Sequence, residues 1–223
     1  MKHMLTFNED CRRCSRLAGF LDQVRDEHPD YHALPVSSFG GAGSRFLIVG
    51  LAPGMHGANR TGRPFSGDFA GNLLYGALHE YGFASSPEPL DAAGNANPAL
   101  SLLGCRITNA VRCLPPQNKP EPGEIRACND YLAEELAMLP QGSAILALGT
   151  IAHQAVLMAL NLRKSSFAFG HGARHELPGG LTLYDSYHCS RYNTQTKRLT
   201  TAMFKAVIND IAKHIVGAGH ARD

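Results

Sequence analysis

Between Gly50 and Asp68 the chain reads Gly-Leu-Ala-Pro-Gly-Met-His-Gly-Ala-Asn-Arg-Thr-Gly-Arg-Pro-Phe-Ser-Gly-Asp. The five glycines of this segment let the backbone come close to a ligand. Arg60 and Arg63 carry guanidinium groups that match phosphate geometry. Phe65 offers a flat face on which a ring can stack, and Asp68 a carboxylate. The segment follows the apolar run Phe46-Leu47-Ile48-Val49 and precedes a helical pattern. It therefore reads as a long loop leaving the carboxyl end of a buried strand, where sheets of this kind bind ligands. Asp68 has a second reading, because an aspartate directly before a helix is a natural N-cap.

Two further segments carry similar chemistry. Asn109 stands near the end of the run Arg106 to Val111, and its side-chain amide offers both donors and an acceptor; an asparagine there also suits a turn. His188 stands in Ser186-Tyr187-His188-Cys189-Ser190-Arg191-Tyr192-Asn193-Thr194, after another apolar run, and supplies a titratable donor. Arg191 and Tyr192 in the same segment combine a cation with a large ring, as in a wedge or a phosphate contact.

The cysteines form a separate constellation. Cys11 and Cys14 make a C-x2-C pair, and Cys113 and Cys128 make a wider C-x14-C pair. Four thiolates that converge can hold a structural zinc or an iron–sulfur cluster, and the spacing alone favours neither. Cys105 and Cys189 are left as free thiols, Cys189 beside His188 in the wall of the site.

These residues need a frame. The runs Arg45 to Val49, Arg106 to Val111, Ala144 to Leu148 and Leu181 to Tyr187 are mostly continuous apolar stretches, which predict four strands buried on both faces of a parallel sheet. Helical periodicity separates them over Phe69 to Tyr81, Glu124 to Met138 and Thr150 to Leu160, and continues over Gln195 to Val216. The alternation predicts an α/β fold: three α/β/α layers around a mostly parallel four-stranded sheet, with the site at the carboxyl ends of the strands. The chain has 223 residues and no internal repeat, and is read as a single domain over 1–223. The Pro-, Gly- and Asn-rich stretch Ser85 to Asn97 is read as an excursion within it.

Bulk properties bound the function. No apolar run approaches the roughly 20 residues of a membrane span, and Met1 to Asp10 lacks the apolar core of a secretory signal. A reducing cytoplasm is expected, where cysteines serve as metal ligands more often than as disulfides. The net charge of +2 does not by itself indicate a nucleic-acid partner.

The loop from Gly50 to Asp68 resembles the first motif of the family 5 (type b) uracil-DNA glycosylases. The resemblance recurs at Thr108-Asn109-Ala110-Val111-Arg112-Cys113, at Ala147-Leu148-Gly149 and over Ser186 to Thr194. The tail after Val216 and the stretch Ser85 to Pro98 lie outside it. It implies a monofunctional base-excision repair enzyme that flips uracil out of DNA and hydrolyses its N-glycosidic bond, with hypoxanthine and other deaminated bases as further substrates. No lysine stands in the matching motifs for lyase chemistry.

The resemblance implies a [4Fe-4S] cluster on Cys11, Cys14, Cys113 and Cys128. Catalysis would fall to Asp68, Asn109 and His188, and base binding to Gly50, Ala52, Gly54, Phe65, Asn109 and His188. Arg60, Arg63 and Arg191 would contact the DNA backbone, and the enzyme would act as a monomer. Relatives of the wider superfamily place an acid or amide just after the first glycine, where this chain has Leu51; Asp68 takes over the handling of water. Two other readings stand beside it: a catalytically silent iron–sulfur DNA-binding protein, which the lost polar residue at Leu51 keeps open, and an electron carrier, which the absence of a partner redox motif disfavours.

Overall fold

The computed structural model describes residues 7–220. Residues 1–6 and 221–223 of the expected single domain, the former also part of the segment read for a secretory signal, lie outside the described residues.

The elements run α1 (Ser15–Glu27), β1 (Phe39–Gly40), β2 (Phe46–Gly50), α2 (Ala58–Thr61), α3 (Phe69–Glu80) and β3 (Cys105–Asn109). Then come α4 (Pro122–Ala137), β4 (Ala144–Leu148), α5 (Thr150–Ala159), β5 (Arg174–Leu177), β6 (Leu181–Ser186), α6 (Arg191–Gln195) and α7 (Thr201–His220). The sheet has six strands in the order β1-β3-β2-β4-β6-β5. The four inner strands are parallel, and β1 and β5 pair antiparallel at the two edges.

The expectation of four strands is corrected to six. The inner four are the ones announced by apolar runs; β2 and β4 are buried at every position. The edge strands lack that signal for physical reasons. β1 is only two residues long, and β5, Arg-His-Glu-Leu, has one side open to water. Helix α1, which the apolar runs did not announce, buries Leu17, Leu21 and Val24. The last expected helix, Gln195 to Val216, starts instead at Thr201 as α7, and the short α6 that ends at Gln195 was not announced.

Three layers follow from the alternation of side chains across the sheet. Phe46, Ile48, Ile107, Leu146 and Tyr184 pack with α3 and α7 on one face. Leu47, Val49, Ile145, Ala147 and Leu183 pack with α4 and α5 on the other. A third cluster joins α1 to Val111, Leu114, Tyr131 and the cysteines.

The chain passes from β2 to β3 on one side and returns to β4 on the other. This leaves a crevice at the carboxyl end of β2, where sheets of this type bind ligands. The loop from Gly50 to Asp68 opens into it.

Candidate active site

A cavity of about 570 Å³ lies at that crevice, lined by Leu51, Ala52, Gly54, Phe65, Asp68, Asn109 and His188 among others. Side chains 137 positions apart in the chain, from Leu51 to His188, thus share one wall, because parallel strands deliver all their carboxyl ends to the same edge.

Gly50 and Asn109 are register partners across β2 and β3. A Cβ on Gly50 would stand 2.3 Å from Asn109 Oδ1 and 2.7 Å from the Phe65 ring. Glycine there is what lets the amide and the ring meet. Asn109 is 4% exposed, and its Oδ1 has no hydrogen-bond partner among the described residues. An acceptor left so in a buried wall is matched to a donor on a ligand.

Phe65 is buried with a φ of +55°, a left-handed conformation that costs a bulky residue about 1–3 kcal/mol. Its surroundings hold it there. Tyr75 Oη donates to Pro64 O at 2.8 Å, and Ser66 Oγ donates to Arg63 O at 2.9 Å. A Cβ on Gly71 would stand 1.7 Å from Phe65 O, so α3 approaches Phe65 only through a glycine. The Phe65 and His188 rings lie nearly parallel, 28° apart with centroids at 5.9 Å.

His188 stands two residues past the end of β6, and its carbonyl accepts from Asn193 Nδ2 at 2.8 Å, which ties it to α6. Burial pushes the imidazole pKa down to about 4, so near neutrality the ring is an uncharged donor. Cys189 beside it is completely buried in the core and is not among the residues that line the cavity.

Asp68 is the N-cap of α3, with Oδ1 accepting from Gly71 N at 2.9 Å. It also lines the cavity. Burial raises its pKa above the usual carboxylate value, against backbone N–H donation from Gly71 and Ala70. Oδ2 lies against the backbone of Gly57, where a Cβ would stand 2.8 Å away. The two roles foreseen for this residue are therefore compatible: the cap fixes the carboxylate's direction.

Of the three arginines expected at DNA, Arg191 lines the cavity mouth, its guanidinium 5.7 Å from the Phe69 ring. Arg60 and Arg63 turn to backbone carbonyls, Gly94 O at 2.8 Å and Asn97 O at 2.6 Å, and neither lines the cavity. His56, Asn118 and Ser190 also line it, although nothing in the spacing singled them out. Asn118 carried a usable sign, standing after two prolines; its φ is +56°.

Cys11, Cys14, Cys113 and Cys128 surround a second, small cavity with Leu17, Val111 and Tyr131. Tyr131 Oη donates to Cys11 Sγ at 3.5 Å, and Arg112 N donates to Cys128 Sγ at 3.4 Å. Burial pushes the thiols of Cys14 and Cys113 up and that of Cys128 up to about 11.

A different trio, His153, His175 and Asp185, is the group of described residues whose potential metal-ligating atoms all fall within 4.8 Å of one another. Both ring nitrogens of His153 already face acceptors, Asp185 Oδ1 at 2.8 Å and Phe167 O at 3.0 Å. That arrangement favours the doubly protonated ring. Burial works against the charge, but Asp185 outweighs it and the pKa of His153 is raised.

Residues 37–212 match the family model described as the uracil DNA glycosylase superfamily. The type-5 uracil-DNA glycosylase of Thermus thermophilus is 48% identical over 214 residues, covering 93% of this chain and 94% of that protein. The Mycobacterium tuberculosis protein of the same name is 41% identical over 218 residues, covering 93% and 78%. That of Pyrobaculum aerophilum is 36% identical over 208 residues, covering 91% and 88%.

Proposed function

Because the chain belongs to the uracil-DNA glycosylase superfamily and stands with its type-5 members, it excises uracil from DNA, and we propose that it does so in the cavity between Phe65, Asn109 and His188. The unpartnered, buried Asn109 Oδ1 carries this reading. Uracil presents an N3–H donor and an O4 acceptor on one edge, which an asparagine amide meets with its oxygen and its NH2. Cytosine has an acceptor at N3 and would leave Oδ1 unpaired, which costs about 1–3 kcal/mol.

The base flips out of the duplex and lies against the face of Phe65. The bond between C1′ of the sugar and N1 of uracil breaks, and its electron pair leaves with the base. Neutral His188 donates a hydrogen bond to O2 as charge grows there. Water adds at C1′, directed by the carboxylate of Asp68, which takes its proton. Ala52 and Gly54 line the cavity with little side-chain obstruction, and Gly50, which does not line it, leaves room for Asn109 and Phe65. Arg191 at the mouth meets the DNA backbone. The roominess of the cavity also favours hypoxanthine and other deaminated bases as substrates.

We further propose that Cys11, Cys14, Cys113 and Cys128 hold a [4Fe-4S] cluster. The thiols of Cys14, Cys113 and Cys128, whose pKa values burial raises, require a cation to become thiolates, and the N–H and O–H donors aimed at Cys128 and Cys11 sulfur suit that state. When bound, the cluster supplies a covalent tie between the start of α1 and the segment after β3. A cytoplasmic, monomeric enzyme built as one domain completes the reading.

Single-turnover excision on oligonucleotides containing uracil or hypoxanthine, with alkaline cleavage of the abasic product, tests the activity. Iron and sulfide analysis of anaerobically purified protein tests the cluster. Binding of DNA without excision would favour a silent binder, and stoichiometric zinc without iron would remove the cluster.

A further inference from the structure

The excursion over residues 85–98 carries no residue of the chemistry above. It closes on itself: Ala84 bridges Leu102, Leu90 bridges Ala96, and Asp91 Oδ1 accepts the N–H groups of Ala93 and Asn95 at 3.0 and 2.9 Å. Within it only Pro89 is buried, so apolar packing contributes little to its position. Two charged hydrogen bonds reach it from the catalytic loop, Arg60 Nη1 to Gly94 O and Arg63 Nη1 to Asn97 O, and such bonds are roughly twice as strong as neutral ones.

Each arginine is also tied to the body of the site, Arg60 through its side chain and Arg63 through its ring contact and its carbonyl. Arg60 Nε donates to His56 O at 3.1 Å, and Arg60 Nη2 lies 3.1 Å from where a Cβ on Gly67 would stand. His56 and Gly67 directly precede Gly57 and Asp68, whose backbone and carboxylate touch. Arg63 lays its guanidinium 4.5 Å over the Phe39 ring, and its carbonyl accepts both Ser66 N at 3.3 Å and Ser66 Oγ at 2.9 Å. Between Arg63 and Ser66 lies Phe65 with its positive φ.

We propose that the 85–98 excursion is a buttress for the catalytic loop, with Arg60 the positioning residue for Asp68 and Arg63 the positioning residue for Phe65. This rests on the roles given above to Asp68 and Phe65. The consequence differs from a phosphate contact: loss of the buttress slows excision and leaves DNA affinity in place.

The test is a double-mutant cycle between Arg60→Ala and replacement of residues 89–96 by Gly-Gly. The replacement removes the Gly94 carbonyl and spares Asn97, whose Nδ2 already reaches Glu88 O at 2.9 Å across the base of the excursion. Each change should lower single-turnover excision roughly 10- to 100-fold, the usual result of misplacing a reacting group by about 1 Å. The dissociation constant for uracil-free DNA and its salt slope should hold. The double variant should be no slower than the slower single one, since both remove one interaction. Arg60→Lys should restore part of the rate, an ammonium reaching one carbonyl but lacking the guanidinium fork.

Excision at the wild-type rate by Arg60→Ala would overturn the proposal. So would additive losses, or a weaker affinity for uracil-free DNA with a salt slope reduced by about 1. If Arg60→Ala does not fold, the Gly-Gly replacement decides alone. Full activity of Asp68→Asn would instead overturn the role of the carboxylate, and the cycle would still report whether Arg60 and the excursion act as one unit.

Discussion

Replacing Asp68 by asparagine separates the two tasks of that side chain. The cap survives, because asparagine Oδ1 can accept from Gly71 N as the carboxylate does at 2.9 Å. What disappears is the base. Excision in a single turnover should fall roughly 10² to 10⁴-fold, the usual contribution of a general base. At 1.36 kcal/mol per tenfold that is about 2.7–5.4 kcal/mol of transition-state stabilisation. Asp68→Ala should lose the cap as well, about 1 kcal/mol, which lowers Tm by about 2–4 °C for a chain of this size.

The pH profile gives an independent check. Burial holds the Asp68 pKa above the ordinary carboxylate value, so the wild-type rate should fall as pH drops through that raised value. His188 stays neutral until about 4 and cannot account for that limb. In Asp68→Asn the limb should vanish. Near wild-type excision by Asp68→Asn, with its acid limb intact, would refute the reasoning and leave catalysis to Asn109, His188 and backbone donors.

Asn109→Ala should reduce uracil excision by about two orders of magnitude, within the range for removal of one donor to a developing anion, with little change in binding to uracil-free DNA; equal excision would place base recognition elsewhere. His153, whose pKa is raised in the fold, contributes stability fully present below its unfolded value of about 6.5 and lost as pH rises through the folded value. Denaturant unfolding from pH 5 to 9 should show that loss, and His153→Gln should flatten it. Cys128→Ser should give protein with less iron and a lower Tm; unchanged iron content would remove Cys128 from the ligand set.

The central layers were legible because parallel strands buried on both faces write continuous apolar runs, as Phe46 to Val49 and Ala144 to Leu148 do. The edge strands were not. Arg174–Leu177 sets three polar residues before a single leucine, and Phe39–Gly40 is too short to show any period. The cavity residues Phe65, Asp68, Asn109 and His188 were legible as motif members. The direction of Arg60 and Arg63 was not, because it depends on carbonyls of Gly94 and Asn97, and a backbone acceptor leaves no mark in side-chain identity. His56 and Ser190 escaped for a related reason: they reach the cavity mouth only through the course of their loops.

The most direct test is the structure of this protein bound to DNA carrying 2′-fluoro-deoxyuridine, whose N-glycosidic bond resists cleavage. The uracil should be flipped into the cavity against Phe65, with N3 within about 3.2 Å of Asn109 Oδ1 and a water held between Asp68 and C1′. A uracil still stacked in the duplex, or one seated away from Asn109, would contradict the account.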